Sequence, residues 1–199
     1  MRLTFLVPAM LWAVSVQGQD PASRAETMRS LKEILSRQKP VHWVESPTNP
    51  GNAAQPTHAI ATVTDVTTDA DTCKLSFKEG RVFQDQHWES VQTWRLNVSD
   101  IDQVRVESLV GFVERLRAEG RQPGWETQTT PAVFVLELLA APNHKFDVHR
   151  WSKNSANEVS ERDLQQSLAF IVFASEASAN EAAKTVRRVQ TSCAPVRSR

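Results

Sequence analysis

Two cysteines, Cys73 and Cys193, allow only one bridge within the chain. That bridge closes a loop of about 120 residues, and loop-closure entropy makes it worth on the order of 4 to 5 kcal/mol as an upper figure. The spacing matches no zinc or redox motif. The other reading is a pair of buried thiols. Position favours the bridge. Cys73 opens the alternation Cys73, Leu75, Phe77 against Lys74, Ser76, Lys78, the pattern of a half-buried strand. Cys193 ends the series Ala179, Ala182, Ala183, Val186, Val189, one continuous helical stripe. A Cys73–Cys193 disulfide therefore pins a terminal helix onto a sheet.

Disulfides persist outside the reducing cytosol, and the first residues agree with that location. Met1 and Arg2 precede an uncharged apolar run from Leu3 to Val16, and Gly18 supplies a small residue before Asp20. This is the layout of a secretory signal peptide over 1–18, cleaved after Gly18. The run is about 14 residues, against roughly 20 needed to span a bilayer. An uncleaved anchor is the alternative. The expectation is a secreted or periplasmic protein with no transmembrane span in its mature chain.

Removing Arg2 from the 23 basic residues leaves one fewer than the 23 acidic ones. So balanced a chain gives no electrostatic reason to expect nucleic acid as a partner. Tyr is absent, and no physical reason for that is evident.

Along the chain, 19–44 reads as an N-terminal helical segment. Ser23 and Glu26 have capping-box spacing, and Met28, Leu31, Ile34 and Leu35 repeat at helical period up to Pro40. Residues 45–56 hold Pro47, Pro50, Gly51 and Pro56, a linker that leaves the helix loosely packed or docked elsewhere. The period then becomes two: Ala59, Ala61, Val63; then Leu75, Phe77; then Trp94, Leu96, Val98. Glu79-Gly80 reads as a turn, with Arg81 to Phe83 starting a further strand, and Val104 and Val106 make another. Residues 107–119 read as a helix and 120–131 as a loop. Strands return at 132–139, 145–151 and 164–174; the first and last are apolar on both faces, as central strands are. Ser178 and Glu181 form a second capping box before the terminal helix, and 195–199 reads as a disordered tail.

Strand clusters without alternating helices predict an α+β, mainly β fold: a bent antiparallel sheet or open barrel capped by a C-terminal amphipathic helix. The stretch Trp94-Arg95-Leu96-Asn97-Val98-Ser99-Asp100-Ile101-Asp102, with Val104, Val106 and the helix ending in Cys193, resembles uncharacterised exported bacterial domains. These are similar to the pleckstrin-homology fold, and the resemblance covers residues 57–194. It implies a fold and no chemistry, because that fold hosts many binding functions. The basic phosphoinositide-binding loop of some members has no counterpart in this sequence, and the helix at 107–119 is an insertion.

Candidate sites are sparse. His149 shares a strand face with Asp147, and His87 with Asp85; an Asp-x-His pair can orient an imidazole for metal or acid–base work. The competing reading is a solvated ion pair on a strand surface. His144 and His149, five apart, fall on opposite faces. Asp65, Asp69 and Asp71 lack the ligand spacing and glycine of a calcium loop and read as a solvated turn. Asn97-Val98-Ser99 matches a glycosylation sequon, a chance match in a bacterial chain. No Gly-x-Ser-x-Gly, His-Glu-x-x-His or Gly-rich phosphate loop occurs. Trp94 belongs to a core face, while Trp43, Trp88 and Trp125 fall in loops or edges and are either tucked in or offered to a partner.

No catalytic residue, cofactor or metal ligand is assigned, and three readings stay open. The first is a non-enzymatic interaction or scaffold domain of the cell envelope or secreted space, with a protein partner. The second is a carrier of a small apolar ligand, lipocalin-like, which requires a closed apolar cavity of several hundred Å3. The third is a metal-dependent enzyme built on Asp85, His87, Asp147 and His149.

Overall fold

The computed structural model describes residues 21–47, 57–83, 88–121, 125–128 and 132–194. The segment 1–18 expected to be a signal peptide, Asp85 and His87, and residues 195–199 lie outside the described residues. The element order is α1 (Pro21–Ser36), β1 (Val41–Pro47), β2 (Thr57–Asp69), β3 (Lys74–Phe83), β4 (Trp88–Asn97), β5 (Ile101–Ser108), α2 (Leu109–Ala118), β6 (Trp125–Gln128), β7 (Phe134–Ala140), β8 (Phe146–Lys153), β9 (Val159–Gln166), β10 (Leu168–Phe173) and α3 (Glu176–Cys193). The fold is α+β with two antiparallel sheets. Seven strands run in the order β6-β1-β2-β3-β4-β8-β9 and do not close, and three run β10-β7-β5.

The alternating strands form as their pattern requires. Ala59, Ala61 and Val63 of β2, Leu75 and Phe77 of β3, and Trp94 and Leu96 of β4 are all buried on one face of the large sheet. β2 carries a bulge: Thr64 pairs with Lys78 and Thr67 with Ser76, so Asp65 and Val66 together oppose Phe77. Asp65 takes φ 51 there. The extra residue moves the buried register from Val63 to Val66.

Two clusters of apolar side chains fill the interior. The larger joins Met28, Leu31 and Leu35 of α1, the apolar rows of the large sheet, Leu136, Leu138 and Ile171 of the small sheet, and the α3 stripe. The smaller joins Val41, Trp43, Ala59 and Ala61 to Phe112 of α2 and to Val135 and Val172 on the other face of the small sheet. The small sheet is thus covered twice, which is why β7 and β10 read apolar on both faces. Its edges are capped. Arg187 Nη2 donates to the Val104 carbonyl at 2.7 Å, Gln190 Nε2 to that of Ile101 at 2.6 Å, and Gln38 Nε2 to that of Val172.

The bridge joins Cys73 and Cys193 with sulfurs 2.07 Å apart. Cys73 is not in a strand, as its alternation suggests; it occupies the turn before β3 with φ 55. The terminal stripe is as expected, Ala179 to Val189 being fully buried, but its cap is Ser175, whose Oγ accepts from Ser178 N at 3.2 Å. Ser178 lies inside the helix, as does Ser23 in α1.

Four boundaries differ from expectation. The helical segment 19–44 ends at Ser36, and residues 41–47, split between that segment and the linker, form β1. Trp43 there places its ring inside and Glu45 follows on the same face, so pairing with β2 outweighs the proline-rich composition. α1 is neither loose nor docked elsewhere: its apolar face is part of the main core. The 164–174 run breaks at Ser167, whose carbonyl accepts from Ala140 N at 2.8 Å, and splits into β9 and β10 in different sheets. Glu79-Gly80 is no turn, because β3 runs unbroken from Lys74 to Phe83. The helix expected at 107–119 is α2, capped by Ser108, and the expected loop after it contains the backbone of β6, which pairs with β1.

Candidate functional site: polar rows on the inner sheet face

Antiparallel pairing sets cross-strand neighbours in rows on one face. On the inner face of the large sheet the row Phe77, Trp94, Val148, Leu164 is apolar. The next row is Glu79, Gln92, Arg150, Arg162, and the one after it is Arg81, Ser90, Ser152, Ser160. Both are polar from β3 to β9 and continue on β2 as the apolar Val63 and Ala61. Their burial is graded. Arg162 and Ser160 on the edge strand β9 are exposed, Arg150, Ser152 and Gln92 are half-buried, and Glu79 and Ser90 are only 1% and 2% exposed. A polar track therefore leads from solvent at β9 into the interior at β3.

At its inner end the charges are organised. Glu79 Oε1 accepts from Arg81 Nε at 3.0 Å and Nη2 at 2.7 Å. The Arg81 guanidinium lies 4.3 Å from the centre of the Phe170 ring of β10. Glu45 accepts from Trp43 Nε1 at 2.7 Å, and burial pushes its carboxyl above the ordinary value against the pull of Trp43 and Arg81. Arg150 is held below the usual guanidinium range, first by burial and then by the like charges of Arg162 and Arg81, with only Glu79 opposing.

Three atoms of this track, Glu79 Oε2, Ser90 Oγ and Arg150 Nε, are buried without a hydrogen-bond partner among the described residues. Buried polar atoms are nearly always paired, and each unpaired one costs about 1–3 kcal/mol. Such atoms occur singly elsewhere, at Gln38, Thr57, Trp94 and Glu137, but here three of them on adjacent strands face one way without partners among the described residues.

A second buried charge cluster has a structural task. Arg115 of α2 donates to Glu107 at 2.6 Å, Glu137 at 2.7 Å and Glu119 at 2.9 Å, which ties α2 across β5 and β7. The hydrogen bond from Arg115 to Glu107 contributes most to holding the Arg115 proton.

The residues singled out from sequence lie elsewhere. Asp147 and His149 share the outer face of β8, but His149 Nδ1 is 3.0 Å from Asp163 Oδ1 on β9, and Asp147 accepts from Gln165 Nε2 at 3.4 Å. His144 Nδ1 stands 3.3 Å from Asp100. Among the described residues no three His, Cys, Asp or Glu side chains are grouped to hold a metal ion. Asp69 accepts from the Asp71 and Thr72 backbone N–H groups, and Asp65 pairs with Lys78 at 2.7 Å, so the acidic turn organises its own backbone. Asn97 Oδ1 accepts from Ser99 N and Oγ. Trp43 and Trp94 are buried, Trp88 is half-buried against Phe83 at 4.9 Å between ring centres, and Trp151 is half-buried on the outer face. Trp125 begins β6; its ring lies outside the described residues. An outer groove of about 470 Å3, lined by Lys74, Arg95, Lys145, Asp69, Asp100 and Asp147 among others, has matched charges.

Sequence reading missed Glu79, Ser90, Arg81 and Arg150. One signal was present: Phe77, Glu79, Arg81 and Phe83 keep period two through the supposed turn. No helix of the described residues is long and apolar enough to cross a membrane. Comparison with protein-family models, curated proteins and solved structures finds no match to this chain.

Proposed function

We propose that the protein is an exported, non-enzymatic binding domain whose ligand occupies the polar track on the inner sheet face. One observation carries the reading: two polar rows run from exposed side chains on β9 to the buried Glu79 and Ser90, and Glu79, Ser90 and Arg150 each hold a buried atom without a hydrogen-bond partner among the described residues. Folding gains nothing from leaving such atoms unmet, whereas a ligand supplies their partners. Ser90 Oγ has no hydrogen-bonded base among the described residues, which favours binding over nucleophilic chemistry. The polar lining favours a polar ligand over the small apolar one a lipocalin-like interior would take. The Cys73–Cys193 bridge supports an oxidising compartment, secreted or periplasmic. The pleckstrin-homology-like reading belongs to the same proposal: an open antiparallel sheet closed by α3 supports it, while α1 and α2 are additions to that pattern.

The test is thermal melting of the mature protein against a panel of small polar metabolites: sugars, polyols, amino acids and organic acids. At least one class raises Tm in a concentration-dependent way and is recovered chemically unchanged. A flat response across the panel, or consumption of the compound that binds, contradicts the proposal.

A further inference from the structure

The track has an excess of cation. The two rows hold three guanidiniums, Arg81, Arg150 and Arg162, and one carboxyl side chain, Glu79. Arg81 already has a partner in Glu79 and an aromatic face in Phe170. Arg150 has neither: its Nε is buried and unpaired among the described residues, and its direct cross-strand neighbour is Arg162. Like charges set opposite each other on a sheet are destabilising. With Arg150 half-buried and Arg162 exposed beside it, an anion bound between them relieves the repulsion.

The opposite demand sits two strands away. Glu79 Oε2 is a buried acceptor with no donor among the described residues, and Ser90 on β4, the partner of Arg81 in the next row, is its diagonal neighbour. Strands are about 4.8 Å apart, so the backbones carrying Arg150 and Glu79 stand roughly 10 Å from each other. Gln92 of β4 stands between them in the same row, so a ligand that touches both lies over the Gln92 side chain and need span only a few heavy atoms.

Resting on the binding reading above, we propose that the ligand is a small carboxylate bearing a neighbouring amine or hydroxyl, an α-amino or α-hydroxy acid. Its carboxylate accepts from Arg150 with Arg162 as the second cation. Its amine or hydroxyl donates to Glu79 Oε2 and Ser90 Oγ. The ligand enters from the β9 edge, where Arg162 is exposed. Glycerol, acetate and a simple amine each meet only part of this demand.

The experiment is calorimetric titration of the mature protein with the natural amino acids, lactate and malate, set beside acetate, methylamine and glycerol. At least one amino or hydroxy acid binds at least tenfold tighter than every single-group compound. Arg150→Met weakens that binding roughly 100-fold, the usual effect of truncating one partner of a buried charge pair. Ser90→Ala weakens it roughly 10-fold, the loss of one hydrogen bond to a charged group. Unchanged circular dichroism and a ligand-free Tm no lower than the parent's in both variants show that the fold is intact. If glycerol or a sugar binds as tightly as any acid, and Arg150→Met binds it equally well, the track is a binding site for neutral ligands and this inference falls alone. If no compound of either panel binds, the inference and the binding reading fall together.

Discussion

At the scale of single residues, the buried charges divide by whether they have partners. Arg81 is structural, since it neutralises Glu79 and stacks on Phe170. Arg81→Met leaves Glu79 buried and unpaired and costs about 3–5 kcal/mol, read as a lower urea midpoint with an unchanged slope. A loss below about 1 kcal/mol would mean that Glu79 finds another partner. Glu45 supplies a pH test. Burial raises its pKa in the folded state, so the native protein holds that proton more tightly than the unfolded chain does. Stability from this group is therefore complete below the ordinary carboxyl pKa and is lost as pH rises through the folded value. Glu45→Gln keeps an acceptor for Trp43 Nε1 and removes the proton. Its stability is expected to fall less than the wild type's between about pH 4 and pH 7. A steeper fall in the variant would show that the Glu45 charge is stabilising.

Individual elements are held by different means. The bridge anchors α3 at its last residue, and its loss in Cys193→Ser is expected to cost up to about 4–5 kcal/mol in urea unfolding. A variant as stable as the wild type would show that the Ala and Val stripe alone holds the helix. α1 is fastened by burial: Leu31 is fully enclosed, so Leu31→Ala is expected to cost about 2–5 kcal/mol in the same measurement. An exposed arm would lose almost nothing. These elements were legible to unequal degrees. The α3 stripe and the strands around Phe77 and Trp94 announce themselves because one face is apolar and the period is clean. β1 did not, because Pro47 and the residues after it outweigh the short alternation of Val41 and Trp43. The Ser167 break was invisible: β9 and β10 are continuous in sequence, and only the hydrogen bond from Ala140 separates them.

For the whole molecule, the inner face of one sheet does two jobs in adjacent rows. The apolar rows, led by Phe77 and Trp94, hold the fold. The polar rows hold the Glu79–Arg81 pair and, beside it, buried atoms of Glu79, Ser90 and Arg150 without partners among the described residues. The first job was readable from sequence, since hydrophobic periodicity reports it directly. The second was not. Arg81, the partner of Glu79, meets Phe170 of the small sheet, some ninety positions further along the chain. Local polarity says exposed; the topology says inside. Binding sites commonly cost a fold some stability, and that trade is measurable in this protein. The most direct measurement is the unfolding free energy of ligand-free Ser90→Ala/Gln92→Leu/Arg150→Met beside the wild type. If the polar rows exist to bind, this variant is as stable as the parent or more so, by on the order of 1–3 kcal/mol. If it is less stable by that amount or more, the rows are part of what holds the sheet together, and they are not a ligand site kept at the fold's expense.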